Sequence, residues 1–326
     1  MAGIGVVLNP RSRKNLRDPK AADRLARALG DHGIVRECGS IDELHRTAED
    51  FKRLRIDVLG ISGGDGTNHV TITGFLNVYD GMALPQLAFL RGGTMNTVAN
   101  SVGVPRGRPE GLLGRLIRSY VARTSAPLAN VERHVMRITA LETGESHYGF
   151  LFGTGVVYGF LSEYYRYEAP SPLVAAKTLG RAVGSAMVGG EMIRRMARPF
   201  RGSVSIASGA GGTHANWEAR EYLAVAAGTI DQIGLNFRPF HRFDERPNVF
   251  HMVGIYATPM QFVRELPRIW RAQPMRAGRA RDGVAPRAVV RSADGVMRYM
   301  IDGDLHETTG EVELTIGPRV KLLVVK

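Results

Sequence analysis

The chain contains a single cysteine, Cys38, among 326 residues. That excludes an intrachain disulfide and a cysteine-built metal site, and it fits a reducing compartment. No apolar run is long enough to span a bilayer. The nearest, Tyr148 to Ser162, is uncharged but short and broken by Gly149, Gly153, Gly155 and Gly159. The opening residues, Met1 to Leu8, lack the basic stretch and cleavage pattern of a signal peptide and read as a first strand. These absences together lead to the expectation of a cytoplasmic protein. Acidic residues are in deficit. With 43 Lys+Arg against 31 Asp+Glu, the formal net charge of +12 favours an anionic partner: nucleic acid, an anionic membrane or a phosphorylated ligand. No nucleic-acid reading motif is present, so nucleic acid is not expected. A Gly-x-x-x-x-Gly-Lys loop is also missing, which leaves a Walker-type ATPase unsupported. What remains, at 44% hydrophobic and 23% charged, is a soluble globular composition long enough for two domains.

The most informative residues present are Gly63-Gly64-Asp65-Gly66-Thr67. They follow an apolar stretch, Ile56 to Ile61, that reads as a buried strand, and they precede Asn68 to Leu76, which reads as a helix. A strand, a glycine turn and a helix N-terminus make an anion site, because free N–H groups point outward and the helix dipole favours negative charge. Glycines let a phosphate approach the main chain without meeting a Cβ. Asp65 would repel that phosphate, so it needs another task, and holding Mg²⁺ against the phosphates is the most economical one.

Around this turn the first third alternates strand and helix. Strands are expected at Gly3 to Leu8, Ile34 to Glu37, Ile56 to Ile61 and Gln86 to Leu90. Asp18-Pro19 starts a helix running to about Leu29, and the capping box Ser40-Ile41-Asp42-Glu43 opens another to about Leu54. This βαβαβ order predicts a parallel sheet covered on both faces. Ligands of such sheets sit beyond the carboxyl ends of the strands. Three turns lie there: the Asn9-Pro10-Arg11-Ser12 loop, the Gly63 loop, and Arg91-Gly92-Gly93-Thr94-Met95-Asn96.

A plausible boundary follows at Arg123 to Pro127, and the pattern then changes to short β-like runs at 131–140, 148–152, 202–208, 222–227, 249–256, 288–292, 296–301 and 312–316. One helical stretch, 171–196, interrupts them. Gly153-Thr154-Gly155 to Gly159 approximates a dinucleotide fingerprint but has the wrong last spacing and no acid about twenty positions on, so close backbone packing is the better reading. Near the end, Asp302-Gly303-Asp304 is either a plain Asp-Gly hairpin turn or a functional carboxylate pair, one acid near Mg²⁺ and one accepting a proton.

An Asn-Pro loop after strand one, Gly-Gly-Asp-Gly-Thr, Gly-Thr-x-Asn and a late Asp-Gly-acid together resemble the lipid kinases built on the diacylglycerol kinase catalytic domain, a family that includes bacterial diacylglycerol kinases, sphingosine kinases and ceramide kinases. The order and spacing agree from Asn9 to the terminal strand. The resemblance implies an NAD kinase-like α/β nucleotide-binding domain over 1–127, with about 308–326 returning to it, and a β-sandwich lipid-substrate domain over 128–307. It implies an ATP- and Mg²⁺-dependent kinase acting on a lipid hydroxyl, with diacylglycerol first and ceramide or a sphingoid base next. NAD kinase and a catalytically inactive lipid or nucleotide sensor are the alternatives. ATP would be held by Asn9, Pro10, Ser12, Gly63, Gly64, Gly66, Thr67, Gly93, Thr94 and Asn96. Asp65 and Asp302 would stand near Mg²⁺, and Asp304 would be the base.

This sequence departs from the family pattern at several points. The usual Asp-Gly-Glu is Asp302-Gly303-Asp304, and the usual Gly-Thr-Gly-Asn-Asp is Gly93-Thr94-Met95-Asn96-Thr97. The usual Asp-Asp-Gly region appears around Gly234 and Asp244, so an accessory metal site of some relatives is not expected. Two basic stretches, Ser171 to Arg201 and Arg264 to Arg281 around Trp270, read either as solvated helix faces or as surfaces for an anionic membrane. The partners expected are therefore a lipid substrate, an anionic membrane surface reached peripherally from the cytoplasmic side and, as a candidate, a second copy in a homodimer.

Overall fold

A computed structural model describes residues 3–167, 171–207 and 215–324. They divide into two compact units, Met1–Arg133 with Arg319–Lys326, and His134–Pro318.

The first unit runs β1 (Ile4–Leu8), α1 (Arg13–Leu16), α2 (Ala21–Leu29), β2 (Gly33–Glu37), α3 (Ile41–Arg53), β3 (Val58–Ser62), α4 (Asp65–Tyr79), β4 (Gln86–Phe89), α5 (Thr97–Ser101) and α6 (Pro109–Val121). Its strands pair in parallel in the order β2, β1, β3, β4, and Leu322 of the chain's last strand lies beside Leu87 of β4. Every residue of β1 and β3 is buried, as expected of strands covered on both faces. Leu25 and Leu29 of α2 and Leu112, Leu113 and Leu116 of α6 share one core with Ile4, Val6 and Leu8. In the same unit Phe51 of α3 meets Phe75 of α4 edge to face at 6.1 Å. Burying a ring such as Phe51 contributes about 1.5–3 kcal/mol. It lies where a Cβ on Gly5 would stand, 2.4 Å from the ring, so that strand position admits only glycine without repacking.

The capping box at Ser40 and Glu43 is present with both bonds. Two helix starts differ from expectation. α2 begins at Ala21, because Asp18 and Pro19 form a turn in which Ala21 N–H donates to the Asp18 carbonyl. α4 begins at Asp65, so the acid of the glycine turn is already its first residue.

The second unit is strand-rich. It contains β5 (Asn130–Ala140), β6 (Ser146–Gly149), β7 (Leu151–Thr154), α7 (Val156–Tyr165), α8 (Pro172–Met187), α9 (Glu191–Met196), β8 (Phe200–Ala207), β9 (Ala215–Tyr222), β10 (Ala224–Gly228), β11 (Phe250–Ile255), α10 (Pro259–Trp270), β12 (Ala280–Ala285), β13 (Arg287–Ile301) and the start of β14 (Asp304–Leu323). The strands run antiparallel in the order β12, β11, β10, β7, β13, β14, with β8 and β9 added beside the first half of β13. Phe152, Tyr222, Phe250, Met252, Ile301 and Leu314 lie in its core.

Here the sequence reading needed correction. The runs at 288–292 and 296–301 are one strand, β13, interrupted by a register shift between Arg291 and Val296. The helical stretch 171–196 is two helices, parted at Gly189, whose φ of 61° only glycine adopts freely. α7, β9 and β12 differ from expectation: the apolar run of α7 does not distinguish helix from strand, and β12 carries Arg281-Asp282-Gly283, which has no strand pattern. The Gly153–Gly159 stretch is a packing device. A Cβ on Gly155 would stand 2.2 Å from the Leu223 carbonyl oxygen, and one on Gly159 would stand 2.1 Å from that of Met196.

Candidate active site

Three turns meet at the carboxyl edge of the first unit's sheet. Asn9 ends β1 with its N–H donating to the Ser62 carbonyl, and its side-chain amide donates to Thr67 Oγ1 at 3.1 Å. Its Oδ1 accepts from the Arg11 N–H at 2.9 Å, which folds the Asn-Pro segment into a local turn. Asn15 then donates to the carbonyls of Asn9 and Ser62, at 2.8 and 3.2 Å, tying the first loop to the second. Lys14 Nζ reaches the third loop and donates to the Arg91 carbonyl at 3.1 Å.

The second and third loops touch backbone to backbone. A Cβ on Gly93 would stand 2.2 Å from Gly64 Cα, and one on Gly92 would stand 2.8 Å from Gly63 N. A Cβ on Gly63 would stand 2.3 Å from Thr67 Cβ. Only glycine allows this approach, and that is the physical reason the two turns are built from glycine pairs. Beyond them α4 opens with Asp65, Gly66 and Thr67, whose N–H groups have no acceptor within the helix. Pro10, Ser12, Gly63, Gly64, Gly66, Thr67, Gly93, Thr94 and Asn96 all belong to these turns or to the helix starts that follow them.

Asp65 has a task the sequence did not disclose. The residue at the N-cap of α5, Asn96, sits in the left-handed region at φ 49°, gives that helix no side-chain cap, and donates from its side-chain amide to the Gly93 carbonyl at 2.8 Å. The Asp65 carboxylate supplies the cap from outside. It accepts from the N–H groups of Thr97 at 3.0 Å and Val98 at 3.3 Å. Burial pushes its carboxyl above the usual value, with those two amides pulling the other way. A desolvated carboxylate with lone pairs to spare suits a divalent cation. Among the described residues no group of three or more His, Cys, Asp or Glu could hold a metal by itself. The donor set therefore fits Mg²⁺ carried mainly on substrate phosphates, with one carboxylate nearby.

Polar atoms left without protein partners mark the same region. Ser12 Oγ, Ser62 Oγ and Asn68 Oδ1 are buried and have no hydrogen bond. What fits an anionic ligand such as a nucleotide triphosphate is the set of free N–H groups at the start of α4, beside the packed glycine turns. Lys14, Asn15 and Arg91 were not among the expected site residues. Arg91 is buried at φ 54°, donates to the Val104 carbonyl at 2.8 Å and pairs with Asn100, so it holds the third loop in place. The usable signal was its position immediately before a glycine pair. Burial lowers the pKa of Lys14, and the neighbouring Arg91 charge adds to the effect. A nearby anion would offset both terms.

In the second unit, Asp302 and Gly303 form the two-residue turn between β13 and β14, with φ of 45° and 98° and Ile301 paired with Asp304. The two carboxylates part company there. Asp302 is buried, and its carboxylate accepts from the N–H groups of Phe150 at 3.0 Å and Leu151 at 2.8 Å. That gives Asp302 the task of clamping the turn onto the start of β7. Asp304 is half-buried at the first position of β14. Tyr165 of α7 donates to the Gly303 carbonyl at 2.7 Å and braces the same turn.

Residues 3–126 match the sequence profile of the diacylglycerol kinase catalytic domain. No curated protein matches the chain. Among solved structures, a diacylglycerol kinase from Bacillus anthracis str. Sterne aligns with a TM-score of 0.61 at 15% identity, covering 99% of this chain and 96% of that one. A second structure from the same organism, provisionally described as a diacylglycerol kinase, aligns with a TM-score of 0.66 at 16% identity over the same shares. At such identities these structures speak for the fold, an α/β unit followed by a strand-rich one.

Proposed function

Taking residues 3–126 as a kinase catalytic domain of the diacylglycerol kinase family, we propose that this chain transfers the γ-phosphate of ATP to the hydroxyl of a membrane lipid, with diacylglycerol the first candidate. The observation that carries the reading is the meeting of the three turns, where the glycine pairs Gly63-Gly64 and Gly92-Gly93 pack backbone to backbone and the first N–H groups of α4 have no acceptor within the helix. Phosphoryl transfer needs positioning and charge neutralisation more than covalent chemistry. Asn9, Thr67, Gly93, Thr94 and Asn96 would position the nucleotide, and the start of α4 would meet its phosphates. Mg²⁺, when bound, would neutralise charge developing on the transferred phosphoryl group. Asp65 would stand close to it while holding α5. Asp304 would accept the proton of the lipid hydroxyl.

A lipid substrate places the enzyme at a membrane, proposed here as the inner face of the cytoplasmic membrane. Among the described residues no helix is long and apolar enough to cross one, so attachment would be peripheral. The test is purified protein with radiolabelled ATP, Mg²⁺ and a panel of hydroxyl lipids beside NAD. Labelled diacylglycerol supports the reading. Labelled ceramide or sphingoid base keeps the chemistry and changes the substrate. Labelled NADP, or no transfer at all, overturns it.

A further inference from the structure

The outward face of α8 has a composition that the phosphoryl-transfer reading does not use. Its buried positions are Ala175, Thr178 and Ala182. On the other side, Leu173, Ala176, Lys177, Gly180, Arg181, Gly184 and Met187 are all exposed. At about 100° per residue they fill one arc of roughly 140°, along a helix roughly 24 Å long. Leu173 is 64% exposed, Met187 69% and Val188, which caps the helix, 81%. Val188 and Met187, adjacent at one end, are the two most exposed large apolar side chains among the described residues. Between the apolar ends lie Lys177 and Arg181, and no acid occurs from Ser171 to Gly190. Arg181 donates to the Tyr167 hydroxyl, and the next acid along the chain, Glu191, is paired with Arg195. A Cβ on Gly180 or Gly184 would meet nothing within 4 Å, so the middle of the face is flat and open. α10, which packs against α8, ends on Trp270, 51% exposed, with Arg271 following.

We propose that this face of α8 docks on an anionic lipid bilayer, with Leu173, Met187 and Val188 entering the interface and Lys177 and Arg181 meeting lipid phosphates or carboxylates. Charge complementarity favours this occupant. A face with two cations, no acid and bare apolar ends matches a negatively charged surface with an apolar interior. A protein interface of this size would instead present large central anchors where Gly180 and Gly184 leave none. The proposal shares the membrane setting of the lipid kinase reading but does not need phosphate transfer to be correct.

The experiment is co-sedimentation of the full chain with vesicles of phosphatidylcholine, with and without phosphatidylserine, at low and high salt. The variants are K177E/R181E and M187S/V188S. Wild type is expected to bind the phosphatidylserine vesicles in a salt-sensitive way, and each double variant to lose about tenfold or more in partitioning. Phosphate transfer onto lipid presented in neutral detergent micelles should be equal in all three, which separates docking from catalysis. Loss of transfer by wild type in micelles would count against the kinase reading alone. Vesicle binding by the variants equal to wild type would overturn the proposal. So would light scattering that shows a wild-type dimer broken by the same substitutions, since the face would then belong to a second copy.

Discussion

Replacing Asp65 separates its work in the fold from its work on phosphate. In Asp65→Ala the N–H groups of Thr97 and Val98 lose their acceptor, and Asn96 at the N-cap makes no side-chain capping bond. An unsatisfied buried N–H costs about 1–3 kcal/mol. Two of them, less the desolvation cost that the departing charge no longer imposes, give an expected loss of about 2–4 kcal/mol. That is large but within the stability of an ordinary domain. Asp65→Asn keeps one of the two acceptor oxygens and discards the buried charge, so its loss should be smaller than that of Asp65→Ala, about 1–2 kcal/mol. The sign with pH follows from the raised pKa. A carboxyl whose folded pKa lies above its unfolded value favours the protonated form, so wild type carries a cost that appears as pH rises through the folded pKa. Asp65→Asn should therefore compare better with wild type at neutral pH than below about pH 4. Urea unfolding at both pH values, with hydrogen exchange at the Thr97 and Val98 amides, measures this. An alanine variant as stable as wild type, with both amides still protected, would refute the capping role.

Gly93→Ala should drive the two glycine turns apart, because its Cβ would stand 2.2 Å from Gly64 Cα with backbone on both sides. Overpacking of this kind costs about 1–3 kcal/mol, and ATP affinity measured by calorimetry should fall with it. Asp302→Ala should cost about 2–5 kcal/mol by stranding the Phe150 and Leu151 amides, whereas Asp304→Asn should remove phosphate transfer from protein that circular dichroism shows to be folded. His306, packed between His147 at 4.8 Å and Tyr299 at 5.4 Å, has its pKa pushed down to about 4 by burial. It stays neutral in the fold while the unfolded chain takes up a proton, so stability should fall as pH drops from about 6.5 to 4. The loss should be at most about 3 kcal/mol, and less after solvent screening. His306→Gln should flatten that part of the pH profile, and an unchanged slope would discount the histidine.

Much of the first unit was legible because its signals are local. Ser40 and Glu43 cap α3 as their spacing requires, and the alternation of apolar runs with glycine turns gave the parallel sheet. The convergence of the Asn9, Gly63 and Gly92 turns followed from strand order alone. What stayed hidden depends on partners distant in sequence. Nothing near Asp65 announces that its carboxylate caps a helix 32 positions later, and nothing near Asp302 announces the amides of β7, 151 and 152 positions earlier. Both structural tasks escaped the sequence because a carboxylate beside glycine looks the same whether it meets a metal or distant backbone amides. α7 escaped because its apolar residues carry no clear helical period, and the bulge in β13 because Ser292 to Gly295 reads as an ordinary turn between two strands.

The account rests most directly on phosphate transfer to lipid by wild type, Asp65→Ala and Asp304→Ala, measured with radiolabelled ATP on protein whose circular dichroism shows it folded. Labelled lipid from wild type and none from either variant is the predicted result. Full activity from both variants would contradict it.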